Sequence, residues 1–327
     1  MTVEKKHPFR FAVQSFQAET SAEWRERAIR AESLGYEALY LADHFLGPGP
    51  ALEATNHPNQ SLAAVPAIMA AANATSTLRV GCRVFCNDYR HPIMLAKEVA
   101  TLDLLSEGRM DFGLGAGWLR GEYDSIALPF DSAGQRIDRL AESVELIKKV
   151  FSDEPLDHQG TFYSAQGFQG SPRPLQRPHP PFMIGGGGKK ILSLAAREAD
   201  VVSFNFNNRS GRIGPDGVQS ATARATEEKV GWVREVAGKR FDEIELEIGA
   251  YFTFVNEKPQ PIVEGFSQAM GLSPEEIREH PHGLFGGVEE IIEILIRRRE
   301  QFGISRITVG DDVFEAFAPI VSRLSGQ

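Results

Sequence analysis

The chain has 327 residues, a formal net charge of −9, 42% hydrophobic residues and 24% charged residues, a composition that excludes a disordered or fibrous protein. So acidic a chain has no basic surface of the size that nucleic acid or an anionic membrane needs, and the expected partners are small molecules. Residues 1–9 carry two lysines but no apolar signal core, and no apolar run is long enough to span a bilayer, so the expected location is the cytoplasm.

Residues 9–14 read as a first strand, 22–34 as an amphipathic helix and 36–41 as a short buried strand. Asp43-His44-Phe45 then places an acid and an imidazole where that second strand stops. The alternation repeats with an alanine-rich helix over 61–74, a β-branched apolar strand over 78–86, and a helix over 92–105 that opens on Pro92. A fourth strand covers 110–114. Beyond a turn-rich segment come a helix over 132–151, a hairpin around Gly160-Thr161-Phe162-Tyr163 and a proline-dense linker over 171–181. The remaining elements are strand 182–184, helix 189–198, strand 200–204, helix 221–238, strand 245–255, helix 287–302 and strand 306–309. Eight strands alternating with helices predict a closed (β/α)8 TIM barrel, which takes about 250 residues plus insertions. The chain reads as one such domain over 1–327, with its excess length in 118–131, 152–181 and 256–286. These insertions are expected to cover the C-terminal mouth and select the substrate.

Cys82 and Cys86 share the 78–86 strand and face one side. At roughly 3.3 Å per residue they stand about 13 Å apart, too far to bridge, and read as small buried hydrophobes in a reducing compartment. His280 and His282 flank a proline, and without a His-x-x-x-His or paired Cys-x-x-Cys pattern no metal site is expected.

Two glycine-rich stretches follow strands. Gly185-Gly186-Gly187-Gly188-Lys189-Lys190 lies between a strand and a helix, where four glycines allow close backbone approach and expose N–H groups at a helix N-terminus, a geometry suited to phosphate. The alternative is a flexible turn with solvated lysines. Gly113-Leu114-Gly115-Ala116-Gly117-Trp118 has the look of a dinucleotide fingerprint, but Gly121 and Pro129 break the helix that such a motif must open. It reads better as a strand end passing under a planar ligand, with Trp118 as an aromatic wall or as core.

These stretches, with Val80-Gly81-Cys82-Arg83-Val84, Tyr89-Arg90-His91-Pro92, Ala96-Lys97-Glu98-Val99-Ala100-Thr101-Leu102-Asp103 and Leu105-Ser106-Glu107-Gly108-Arg109, resemble the bacterial luciferase-like flavin and deazaflavin oxidoreductases. The resemblance covers most of the chain. It implies a (β/α)8 barrel that binds FMN or coenzyme F420, a 5-deazaflavin, with the phosphate near Gly185, Gly186, Gly187 and Gly188. Asp43-His44-Phe45 is similar to the F420-dependent branch, which implies Asp43 as a cofactor ligand and His44 as the proton donor or acceptor, a role that suits an imidazole. The resemblance also implies a non-proline cis peptide at about Arg83-Val84 and a cofactor bed that includes Arg83, Val84, Cys86, Gly115 and Gly117. It implies a homodimer as well.

One departure bears on the reaction. The deazaflavin-dependent sugar-phosphate dehydrogenases carry a glutamate after the glycine motif, whereas this chain has Trp118 there and Glu122 displaced beyond it. With His44, Trp118 and Glu122 as candidate catalytic residues, the expectation is F420-dependent hydride transfer that reduces an activated C=C or C=N bond of a small organic substrate. The alternatives are an FMN-dependent monooxygenase using reduced flavin and O2, and a non-catalytic flavin-binding barrel. Phe162, Tyr163, Phe168, Phe204, Phe206 and Phe252 suggest an aromatic-lined pocket, although each also fits a core.

Overall fold

A computed structural model describes residues 7–327. Most of the 1–9 segment read for a leader therefore lies outside the described residues. Eight strands, β1 (Arg10–Gln14), β2 (Ala38–Leu41), β3 (Arg79–Cys86), β4 (Met110–Gly115), β5 (Phe182–Gly186), β6 (Val201–Phe204), β7 (Glu245–Ala250) and β8 (Ile304–Gly310), close into a parallel barrel. Each pairs with its neighbours in sequence, and β1 meets β8 with Arg10 opposite Arg306 and Gln14 opposite Gly310.

Eight helices wrap the barrel: α1 (Ser21–Ser33), α2 (Ala64–Ala74), α3 (Pro92–Leu105), α4 (Ala133–Phe151), α5 (Lys189–Glu198), α6 (Ala223–Ala237), α7 (Val288–Phe302) and α8 (Phe314–Leu324). Their ends follow local chemistry. Pro92 occupies the first turn of α3, Ser132 and Gln135 form a capping box on α4, and Gly303 ends α7 at φ 77°. Apolar side chains between helices and strands form the main core, with Phe112 packed 4.8 Å from Phe182, ring centre to ring centre. No helix among the described residues is long and apolar enough to cross a membrane.

Most of the expected elements are present, including an antiparallel hairpin of Leu156–Gln159 with Ser164–Phe168 around the 160–163 turn. Two readings need correction, and one insertion gains elements of its own. The single strand expected over 245–255 breaks at Tyr251, and Phe252–Val255 leaves the barrel to pair with Gly283–Gly286. The 256–286 segment holds two helices, Gln260–Met270 and Pro274–Arg278. The 287–302 helix is not the last, because α8 follows; its buried Phe314, Phe317, Ile320, Val321 and Leu324 have helical spacing, interrupted in sequence by Pro319.

The barrel interior is filled in storeys. At the N-terminal end of the strands, Arg10, Arg79 and Arg306 meet Glu37, Asp111 and Glu245. An apolar middle layer contains Ala12, Ala38, Tyr40, Met183 and Val201, with Val84 packed against it. Above it, Gln14, Arg83, Ser203, Glu247 and Thr308 form a polar layer under the mouth. In β3 the outward Cys82 and Phe85 bracket two inward residues, Arg83 and Val84, whose connecting bond is cis, and the pairing with β4 shifts register there.

Candidate active site

A cavity of about 1060 Å³ opens at the C-terminal ends of the strands, the end at which this barrel architecture places its active sites. All of the sequence-derived candidates line it: Asp43, His44, Arg83, Val84, Cys86, Gly115, Gly117, Trp118, Glu122 and the four glycines from Gly185 to Gly188. The common location follows from the topology, since most sit at a strand end or in the segment just beyond, while Arg83 and Val84 reach the cavity floor from within β3.

His44 is held from behind. Its Nδ1 lies 2.9 Å from Glu122 Oε2, while the Phe45 N–H donates to Glu122 Oε1 at 2.8 Å and the Tyr89 hydroxyl donates to Oε2 at 2.6 Å. Burial acts to raise the Glu122 carboxyl, but the bonds from His44, Tyr89 and Phe45 outweigh it and hold the group below the usual carboxylate range. A carboxylate only accepts, so Nδ1 of His44 carries a proton and Nε2 is the nitrogen left for the cavity. Glu122 sits in the short helix Arg120–Ser125, its side chain fully buried. Sequence reading placed Glu122 as displaced; the fold places it behind the imidazole.

Trp118 is half-buried and stands edge-on to His44, with ring centres 5.8 Å apart at 87°, as a wall of the cavity. His57, which the sequence did not single out, lies against both at 4.1 Å from His44 and 5.9 Å from Trp118. No local pattern marks it. Its loop, between β2 and α2, reads only as irregular.

Asp43 is engaged by the protein itself. Arg90 donates to its two oxygens at 2.6 and 3.0 Å, and the Cys86 N–H donates to Oδ2 at 3.0 Å. Burial pushes this carboxyl up, against the pull of Arg90. Asp43 thus ties the end of β2 to the end of β3 while lining the cavity. Arg90 belongs to a stretch that carried the family resemblance, without a role attached. Cys86 contacts the Tyr123 hydroxyl at 3.5 Å, and burial pushes its thiol up to about 12, so it lines the cavity as an apolar group.

Arg83 is sealed into the polar layer, where it donates to Glu247 at 2.8 Å, to the Tyr251 hydroxyl at 3.0 Å and to Gln14 at 3.2 Å. The glycines divide by purpose. A Cβ at Gly115 would come within 2.7 Å of a Val84 methyl, and one at Gly113 would run into the Cys82 carbonyl oxygen and come within 2.8 Å of Val84, so both make room for β3. Gly117 has φ +73°, a conformation that favours glycine, and abuts the Tyr123 hydroxyl. In the later run, Gly186 packs on Ile191 and Gly187 on the Phe206 carbonyl, but Gly188 meets nothing within 4 Å. Gly188 caps α5 without a side-chain hydrogen bond, which leaves the helix N-terminus and Lys189 open to the cavity.

Of the three expected insertions, 118–131 contributes Trp118, Glu122, Phe130 and Asp131 to the cavity wall. Segments 152–181 and 256–286 contribute none of its lining. His280 and His282 in the latter are buried behind Phe206 and Tyr251, and burial lowers His280 to about 4. The loops after β1, β2 and β6 supply Phe16, His57 and Asn205 instead. Of the six aromatics expected to line the pocket, Phe206 and Phe252 do so, whereas Phe204 is core.

The family model described as luciferase-like monooxygenase matches residues 1–270. The chain is 30% identical over 176 residues to an F420-dependent glucose-6-phosphate dehydrogenase of Amycolatopsis mediterranei, a match covering 54% of this chain and 50% of the relative. It is also 30% identical over 138 residues to an FMNH(2)-dependent dimethylsulfone monooxygenase of Pseudomonas putida, covering 42% of this chain and 38% of the relative. The chain thus spans about half the length, or less, of these curated relatives. Among solved structures, a coenzyme F420 dependent tetrahydromethanopterin reductase from Methanopyrus kandleri superposes with a TM-score of 0.73 at 19% identity, covering 98% of this chain and 99% of that one. That likeness concerns the fold.

Proposed function

The chain belongs to the luciferase-like monooxygenase family, and from that premise we propose that it is an F420-dependent oxidoreductase that exchanges a hydride with a small organic substrate. The observation that carries this reading is the Glu122–His44 pair at 2.9 Å, which fixes one imidazole nitrogen and leaves the other for proton transfer at the cavity. The residues present suit a phosphate-bearing tricyclic cofactor. The cavity has the volume for a large ligand, Val84, Cys86, Gly115 and Gly117 would hold its ring, and Gly185 to Gly188 with Lys189 at the open end of α5 would hold its phosphate. Arg83 and Asp43 act from below and beside that bed, the latter through Arg90.

When bound, a 5-deazaflavin supplies a two-electron hydride carrier at C5. The protein supplies the proton. His44 gives or takes it at Nε2, while Glu122 keeps the proton on Nδ1 and so sets which nitrogen reacts. Phe16 and Trp118 present apolar walls beside the imidazoles. Of the other carboxylates that line the cavity, Asp43 is paired with Arg90, Asp131 with Arg139 and Asp311 with Arg27, while Asp312 is exposed at the rim. One hydride followed by one proton from a single imidazole fits reduction of an activated C=C or C=N bond.

A second reading, an FMN-dependent monooxygenase, draws its support from the equal 30% identity to the dimethylsulfone enzyme. Titration with oxidised F420 and with FMN separates the two. Micromolar or tighter binding of the deazaflavin is expected; FMN binding at that strength with none of the deazaflavin would overturn the reading.

A further inference from the structure

The loop after β2 brings a second imidazole to the cavity, one that the proton transfer described above does not use. The His57 ring packs among Phe16, His44 and Trp118, with centres 6.0, 4.1 and 5.9 Å away. Its Nδ1 lies 2.8 Å from the Pro58 carbonyl oxygen. A carbonyl only accepts, so Nδ1 carries the ring proton and Nε2 keeps its lone pair.

The loop is built to hold this ring in place. The His57 N–H donates to Thr55 Oγ1 at 3.1 Å, and Thr55 Oγ1 donates to the Leu52 carbonyl at 2.6 Å. Asn56 Nδ2 donates to the Ile213 carbonyl at 3.1 Å, and the Ile213 N–H returns a bond to the Thr55 carbonyl at 3.0 Å. Burial, and then the neighbouring His44, lowers the imidazole to about 4, so the ring is neutral near pH 7. Nε2 has no hydrogen-bond partner among the described residues, and it is not among the sealed side-chain atoms that lack one. It is therefore an unsatisfied, accessible acceptor on a ring that lines the cavity.

We propose that His57 is a specificity-determining residue whose Nε2 accepts a hydrogen bond from a hydroxyl or N–H group of the substrate, beside the atom that exchanges a proton with His44. A ketone, ether or carboxylate oxygen at that point would face a lone pair with a lone pair. A donor satisfies it, and polar sites of this kind reject analogues that lack the matching group. The aromatic flanks, Phe16 and Trp118, suit an apolar body. The substrate class is thus a small apolar molecule bearing a hydroxyl or N–H donor next to its reacting bond.

This inference rests on the oxidoreductase reading for the meaning of the site, but its test uses the protein without either flavin. Cyclohexanol and cyclohexanone are matched in shape and differ in donating or only accepting at oxygen. In protein labelled with ¹⁵N-histidine, cyclohexanol is expected to bind more tightly than cyclohexanone and to move the His57 Nε2 resonance. In His57→Phe, which keeps an aromatic ring between Phe16 and Trp118, the affinity for cyclohexanol should fall roughly fivefold, the worth of one net hydrogen bond, with cyclohexanone unchanged. His57→Gln, which retains an acceptor, should recover much of the loss. Undetectable cyclohexanol binding, equal affinity for the two probes, or equal loss of both in His57→Phe would overturn the assignment. A failed deazaflavin titration would leave these results standing, and the reverse holds too.

Discussion

The two ends of this barrel carry polar clusters of similar make-up and opposite design. At the N-terminal end, three arginines, Arg10, Arg79 and Arg306, face three carboxylates, Glu37, Asp111 and Glu245, and the Tyr40 hydroxyl donates to Asp111 at 2.6 Å. Charges balance and the partners point at each other. At the mouth, Glu122 and Asp43 are also paired, but groups around the cavity keep unused valences: Nε2 of His44, Nε2 of His57 and the uncapped N-terminus of α5. The difference shows how one architecture separates its tasks. A closed ionic network at one end secures the strands, while partly satisfied groups at the other remain able to act on a ligand.

The largest test of that contrast lies at the closed end. Asp111→Ala removes the carboxylate partner of Arg79 and one of the three of Arg306, and leaves the Tyr40 hydroxyl without its acceptor, all inside the barrel. Removing one member of a buried charge network costs about 3–5 kcal/mol, measurable by urea denaturation. A loss below about 1 kcal/mol would mean that this end is not the closed network described.

The mouth should respond in rate before it responds in stability. In Glu122→Gln the new amide N–H₂ confronts donors from His44 and Tyr89, so the imidazole adopts the other tautomer and its reacting nitrogen is wrongly protonated. Turnover should drop by about 10²–10⁴, the worth of general acid–base catalysis, while cofactor affinity measured by titration stays unchanged. The same variant has a pH signature. Because the folded-state Glu122 carboxyl lies below its usual value, it adds stability above the unfolded-state value, lost as pH falls through the folded one. Denaturation midpoints of Glu122→Gln should therefore fall less steeply on acidification than those of the native protein.

The smallest effects distinguish glycines that make room from glycines that leave room. Gly115→Ala sets a methyl 2.7 Å from Val84 and should cost about 1–3 kcal/mol by overpacking, relieved when combined with Val84→Ala. Gly188→Ala meets nothing within 4 Å and should shift stability by less than about 0.5 kcal/mol, yet weaken binding of the phosphate-bearing cofactor in the same titration.

Much of the fold was legible because its signals are local. Pro92 and Ser132 mark helix starts, and apolar runs such as 78–86 mark buried strands. Reading failed where an element's identity depends on its surroundings: Phe252–Val255 looks continuous with β7, but the barrel pairing stops at Ala250 and the segment beyond Tyr251 pairs with Gly283–Gly286. The four-glycine run was visible as a unit, but only the packing of Ile191 and the Phe206 carbonyl shows that two of its members serve the fold.

The sequence by itself determined the alternation of strands and helices, hence the barrel, and hence that Asp43, His44 and the glycine run lie at strand ends around one mouth. Those properties follow from periodicity and chain order. The tertiary structure alone decided who holds whom: Glu122 behind His44 across 78 positions, Arg90 on Asp43 across 47, and His57 in the cavity at all. Such pairings arise when barrel closure brings distant loops to one rim, and a hydrogen bond between side chains that far apart leaves no pattern in either local stretch.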